Sequence, residues 1–316
     1  MVYDSDKLPE QDQHLVATFF GAPNTGKSTL GYSAEDALLV NFDGRGPWRV
    51  EEKHRIGSKT SICKTFDEVR ADVNYWKGKK KTVVIDTGGE LVEMLKQYVV
   101  DNPSEFKGGA KSMGGISLQG YGFVKSLWKD FTRDLRENFD VVYLFHEQTE
   151  RVGDDGTFYS IVVEGAAKNL VWQVSDIAGR LFINNGQRYL GFTPTEQYSA
   201  KSAYGIKGII EVPELKDGDP NDFLTKLFAK VRSNIAAKSA ALGPEKEKYD
   251  FAIADAKKIV ATVNAPEDVQ EAAAAISKLD HGLTSEKEAK AMLKKRMDDL
   301  GIIYDKASKS YAYKAS

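Results

Sequence analysis

Gly21-Ala22-Pro23-Asn24-Thr25-Gly26-Lys27-Ser28-Thr29 (GAPNTGKST) follows directly on the apolar run 15–20 (LVATFF). A buried strand that breaks into a Gly- and Pro-containing turn and then Lys-Ser-Thr suits phosphate. Residues 21–28 match G-x-x-x-x-G-K-[ST] at every fixed position. The two glycines permit backbone angles that a side chain would forbid. The loop N–H groups can then point at β- and γ-phosphate oxygens. Lys27 would reach the same oxygens, and Ser28 would bind Mg2+ through its hydroxyl. All nine residues, Gly21, Ala22, Pro23, Asn24, Thr25, Gly26, Lys27, Ser28 and Thr29, are expected nucleotide contacts.

A phosphate loop needs a second Mg2+ partner on a neighbouring strand. The run 82–86 (TVVID) has the right form: strand character, then a carboxylate, Asp86, where the strand emerges. Asp86-Thr87-Gly88-Gly89 also fits D-x-x-G, but no N-K-x-D guanine-reading sequence follows. ATP is the expected nucleotide.

Outward from the loop, strands alternate with helices. Residues 27–36 read as a helix and 37–42 (ALLVNF) as a strand. Residues 61–64 read as a short strand. Residues 66–77 carry Phe66, Val69, Val73 and Trp76 at helical spacing. Helices are expected over 89–100 and 121–138, and a strand over 141–145 (VVYLF). Continuous apolar strands alternating with helices imply a parallel sheet covered on both faces. From 150 to 212 the pattern changes to antiparallel strands, with hairpin turns at Asp155-Gly156 and Asn185-Gly186. The fold class is therefore α/β: a P-loop core whose mostly parallel sheet is extended by hairpins, plus a helical C-terminal region. The expected division is a flexible leader (1–14), a core (15–212), a turn-rich boundary (211–222) and a mainly helical region (223–316). Thr284 or Ser285 is the expected cap of its last helix.

Bulk composition bounds the rest. The 316 residues have 41% apolar content and a formal net charge of −2, which excludes a wholly basic nucleic-acid-coating surface. The lone cysteine, Cys63, allows no disulfide within the chain and fits a reducing cytoplasm. The polar, acidic start is unlike a signal peptide, and no apolar run is long enough to span a membrane.

The order of P-loop, strand ending near an acid (LLVNFD), TVVID, VVYLFHEQ, hairpins and Lys201-Ser202-Ala203-Tyr204-Gly205 resembles the RecA-like ATPase core. More closely it resembles the compact phage ATPases of the Sak-type single-strand annealing group. The resemblance covers roughly 15–212. It implies a Mg2+-dependent ATPase in which Asp43 activates the attacking water, with Glu51 and Glu52 as substitutes. A carboxylate near the γ-phosphate can orient and deprotonate water; the plain alternative is that Asp43 opens a turn. The resemblance places His146 at the γ-phosphate, with Glu147 and Gln148 able to share that role. It makes Lys201 a cation reaching a neighbouring subunit's ATP, although Ala203 stands where an arginine is usual. It further implies a homo-oligomer, ring or filament, with ATP between subunits, working on DNA in a host cell's cytoplasm.

Two segments suit nucleic acid. Residues 107–122 (KGGAKSMGGISLQGYG) combine six glycines, two lysines and one tyrosine, which fits single-stranded DNA. Residues 149–165 contain Arg151 and Phe158, but their acids oppose DNA. From Glu286 onward eight Lys/Arg face five Asp/Glu. That helix and terminal hairpin suit a winged-helix-like element for DNA binding or protein docking, or a solvated charged face. The leading expectation is an ATP-dependent protein of single-strand annealing or recombination. The alternatives are a replication helicase or helicase-loader ATPase, and a nucleotide-switched assembly protein without DNA binding. A small-molecule kinase would need an acceptor pocket and an Arg-rich lid that the sequence does not display.

Overall fold

The computed structural model describes residues 14–42, 44–112, 114–152, 156–163, 167–202, 204–305 and 310–314. Residues 1–13 of the expected leader, Asp43, Asp155 and Ala203 lie outside the described residues. Two compact units are present, Met1–Arg232 and Ser233–Ser316.

The first unit is α/β. Its strands are β1 (Val16–Gly21), β2 (Ala37–Asn41), β3 (Lys59–Ile62), β4 (Thr82–Asp86), β5 (Asp140–Val152), β6 (Gly156–Ile161), β7 (Ile177–Asn184), β8 (Gln187–Gly191), β9 (Lys201–Ser202) and β10 (Ile209–Val212). Its helices are α1 (Lys27–Tyr32), α2 (Phe66–Trp76), α3 (Gly88–Asp101), α4 (Leu118–Asn138) and α5 (Ala167–Val174). The sheet order is β10-β8-β7-β1-β5-β4-β2-β3, with β6 paired to β5 and β9 to β7. β3, β2, β4, β5, β1 and β7 pair in parallel. β8, β10, β6 and β9 add antiparallel pairs.

The continuous apolar strands are buried on both faces. On one side Phe20, Ile85, Tyr143 and Phe145 share a core with Phe66, Leu91, Trp128 and Phe131 from the helices. On the other, α1 lies so close that a side chain on Gly31 would come within 2.8 Å of Val84. The lower end of β1 is pinned on both flanks. Asp140 accepts the Leu15 N–H at 2.8 Å and the Arg232 guanidinium at 2.6 Å, while Asp176 accepts the Val16 N–H at 2.8 Å.

Several expectations need correction. α1 ends at Tyr32 rather than near residue 36, because Ser33 turns its hydroxyl back onto the Leu30 carbonyl at 2.5 Å. α5 occupies a stretch expected to be strand, and β7, expected only as a hairpin arm, also pairs in parallel with β1. The turn Asn185-Gly186 forms as expected, with both residues at positive φ between paired Asn184 and Gln187. The mainly helical region opens with one long helix, α6 (Phe223–Thr262), with Pro244 inside it.

The second unit contains the later part of α6, then α7 (Pro266–Ser277), α8 (Ser285–Asp299) and a hairpin of β11 (Ile302–Asp305) and β12 (Ser310–Tyr313). Val263, Val269, Ile276, Leu293 and Ile302 build its core. Neither expected cap bonds the α8 backbone: the Thr284 hydroxyl donates to the Glu288 carboxylate, and the Ser285 hydroxyl pairs with His281. No helix of the described residues is long and apolar enough to cross a membrane.

Candidate functional site

The register places the ends of three strands side by side. Gly21 of β1 lies opposite His146 of β5, and Leu144 of β5 lies opposite Asp86 of β4. β5 is therefore the strand inserted between the phosphate loop and the carboxylate. A side chain on Gly21 would meet the Leu181 carbonyl at 2.2 Å, so the strand can leave the sheet there only as glycine. Asn24 and Gly26 adopt positive φ, 63° and 93°, which curls the loop. The Thr25 hydroxyl donates to the Ala22 carbonyl at 2.9 Å and braces the curve.

Lys27 is buried and bends back over the loop. Its ammonium donates to the carbonyls of Gly21 at 2.9 Å and Ala22 at 2.8 Å. Burial lowers its pKa; the negative charges of Asp86 and Glu147 oppose that shift. Ser28, next along α1, donates its hydroxyl to the Asp86 carboxylate at 2.7 Å. Residues 58 positions apart in the chain share one bond, and both offer hard oxygens. A hydroxyl and one carboxylate, completed by phosphate oxygens and water, fit Mg2+. Among the described residues no cluster of three or more His, Cys, Asp and Glu could hold a metal by itself.

Other expected residues are dispersed. His146 stands half-buried beside Gly21. Glu147 is nearly closed off and gripped by Arg180, whose guanidinium donates to it at 2.6 and 3.1 Å. Gln148 donates to Glu150 and Ser160 instead. Glu51 is exposed and paired with Lys53 at 3.0 Å, and Glu52 is exposed. Lys201 is not brought to the loop of its own chain. It pairs with Ala178, level with Thr18 of β1, and donates to the Trp172 and Gln173 carbonyls at the end of α5.

Three residues escaped the sequence reading. Arg188 of β8 donates to the Thr25 carbonyl at 3.1 Å and lies against Gly26. Arg180 holds Glu147 and stacks 3.5 Å from the Tyr159 ring centroid. Asn41, 1% exposed, ends β2 beside Asp86 and donates weakly to its backbone carbonyl at 3.4 Å. Only Asn41 left a signal, a polar side chain closing the apolar run ALLVN. The arginines come from a hairpin whose place in the sheet no local pattern announces.

A cavity of about 310 Å3 opens on the flank of α1, lined by Gly26, Thr29 and Leu30 on one side and by Arg188, Pro213 and Phe223 on others. Asn221 closes one edge by donating to the Thr29 carbonyl at 2.9 Å and the His54 carbonyl at 2.8 Å.

No curated protein matches the chain. A family model described as AAA domain matches residues 13–204, more than half of the chain and the part that holds the loop, Asp86 and β5. On that match and this geometry, the chain belongs to the AAA domain family of P-loop ATPases.

Proposed function

We propose that this chain binds ATP with Mg2+ on the 21–29 loop, hydrolyses it, and couples the cycle to single-stranded DNA in phage recombination or annealing. The observation that carries the nucleotide half is the meeting of Lys27, Ser28 and Asp86 at the ends of β1 and β4. Mg2+, when bound, neutralises charge on the phosphate oxygens. Ser28 and Asp86 would hold it, giving up their mutual bond. Lys27 would release the Gly21 and Ala22 carbonyls and turn to the phosphates. The cavity beside α1 is the proposed seat of the nucleoside, with Arg188 over the loop at its mouth.

Around this centre, Asp43 is the proposed water-orienting carboxylate and His146 the residue that touches the γ-phosphate. Lys201, turned away from its own loop, is the proposed cation for a neighbouring copy's phosphate in a ring or filament. The DNA half rests on the 107–122 segment. Lys107 and Lys111 are exposed there, Tyr121 is 42% exposed, and the glycine turn is tied by the Ser117 N–H to the Gly109 carbonyl at 2.8 Å. Exposed cations and a ring on a formed loop suit a single strand.

The test is the ATPase rate of wild type and Lys27→Ala, with and without single-stranded DNA, at two salt concentrations. The proposal expects DNA to raise the rate several-fold, more at low salt, and Lys27→Ala to abolish it. Hydrolysis indifferent to DNA, with no salt-sensitive binding, would remove the recombination half and leave the ATPase half standing.

A further inference from the structure

The second unit carries no part of the phosphate site, yet it has its own core and an unusual outer surface. α8 is oriented by Ser285, Ala289 and Leu293, which are buried at i, i+4 and i+8. At about 100° per residue, Lys287, Ala291 and Lys294 fall on the opposite, outward side, Lys290 lies at its edge, and all four are exposed. The three ammonium groups span about 10 Å of helix axis. The acids of this helix meet that stripe only at Glu286 and in the last turn. Glu288 is turned sideways and accepts from the Tyr249 and Thr284 hydroxyls at 2.6 and 2.5 Å. Glu286 pairs with Lys290 at 2.5 Å, leaving Lys287 and Lys294 as the stripe's cations outside that pair. Asp298 joins the outward side only in the last turn, and Asp299 lies beside it.

The β11–β12 hairpin follows directly. The Lys314 N–H bonds the Gly301 carbonyl at 2.7 Å, fixing the strand ends beside the end of α8. The hairpin exposes Ile303, Tyr304 and Tyr313 by 45%, 51% and 58%. α7 and α8 are joined by residues 278–284 and followed by a two-stranded hairpin, so α8 is the second helix of the pair, the place of the helix that enters the groove in helix–turn–helix proteins.

We infer that the second unit binds duplex DNA, with the outward Lys287–Lys290–Ala291–Lys294 side of α8 in the major groove and the hairpin against the flanking backbone. The shape selects the duplex. A single helix presents a convex ridge, which a major groove about 12 Å wide admits, whereas single strands are held in concave channels. Ala291 lets the groove walls approach, the lysines meet phosphates, and the tyrosine hydroxyls are phosphate donors. The inference stands on residues outside the nucleotide site and does not rest on the ATPase reading.

The test is fluorescence anisotropy of labelled duplex and single-stranded oligonucleotides of equal length, titrated with the full chain at several salt concentrations. One variant combines Lys287→Glu, Lys290→Glu and Lys294→Glu. A control makes the same charge change elsewhere on the unit: Lys257→Glu, Lys258→Glu and Lys278→Glu, all exposed. Thermal melting verifies that each variant is folded. We expect the α8 variant to lose duplex affinity by about tenfold or more relative to the control, with a salt slope lower by roughly two to three, about 0.9 per phosphate contact. Single-strand binding through the core should be spared. Equal duplex affinity in the two variants, or no duplex binding by wild type, would overturn the inference. Capture of an acidic protein in place of duplex DNA would overturn it as well.

Discussion

Gly21 and Gly122 are both glycines within or beside expected functional segments, yet the structure gives them opposite meanings. A side chain at Gly21 would collide with the Leu181 backbone at 2.2 Å; one at Gly122, on the open side of α4, meets nothing within 4 Å. Gly21→Ala should therefore destabilise by about 1–3 kcal/mol, because backbone cannot move aside as a side chain can. Gly122→Ala should stabilise by about 0.5–1 kcal/mol by removing a flexible residue from a helix interior. Paired urea melts would check both, and equal effects would refute the crowding argument. Sequence legibility follows the same line. The loop residues were readable because phosphate binding dictates both residue type and spacing. Arg188 and Arg180 were not, because nothing in a hairpin's own sequence states which strand it will lie beside.

β1 depends on two carboxylates at its lower end, and they behave differently. Asp140, 1% exposed, carries the Leu15 N–H and the Arg232 guanidinium. Asp140→Ala leaves the Leu15 N–H without its acceptor, while the Arg232 side chain, 37% exposed, can turn to water, and should cost about 1–3 kcal/mol. Asp176 is perturbed mainly by burial, which raises its pKa; the Val16 N–H and the Lys201 charge oppose that. A raised carboxylate pKa means that the unfolded chain ionises first. The stabilising part is present below the ordinary value of 3.8 and is lost as pH rises through the folded value. Asp176→Asn, which retains an acceptor for Val16, should gain stability relative to wild type as pH is raised from about 4 to 7. Denaturant midpoints across that range would show it; a difference independent of pH would contradict it. The strands themselves were legible where they are apolar throughout, as in β1, β2 and β4. β5 runs on to Val152 because its outer half pairs with β6, and α5 was missed because LVWQV is as apolar as a strand.

The molecule joins a core whose chemistry is concentrated at the ends of β1, β4 and β5 to a second unit with an outward basic helix. The order β7-β1-β5-β4-β2 sets the layout of the proposed site: inserting β5 places His146 and Glu147 between the loop strand and the strand that ends in Asp86. That insertion crosses more than a hundred residues of chain and cannot be read from local pattern, although the alternation of strand and helix announced the parallel sheet. In the proposed site Ser28 and Asp86 together hold the cation that accompanies the nucleotide. The most direct measurement of that role is calorimetric titration of ATP into wild type, Ser28→Ala and Asp86→Asn, each with and without Mg2+. Mg2+ should strengthen binding to wild type by about tenfold or more, and either substitution should remove most of that gain while leaving Mg2+-free binding nearly intact. Mg2+ enhancement that survives unchanged in both variants would contradict that role for Ser28 and Asp86.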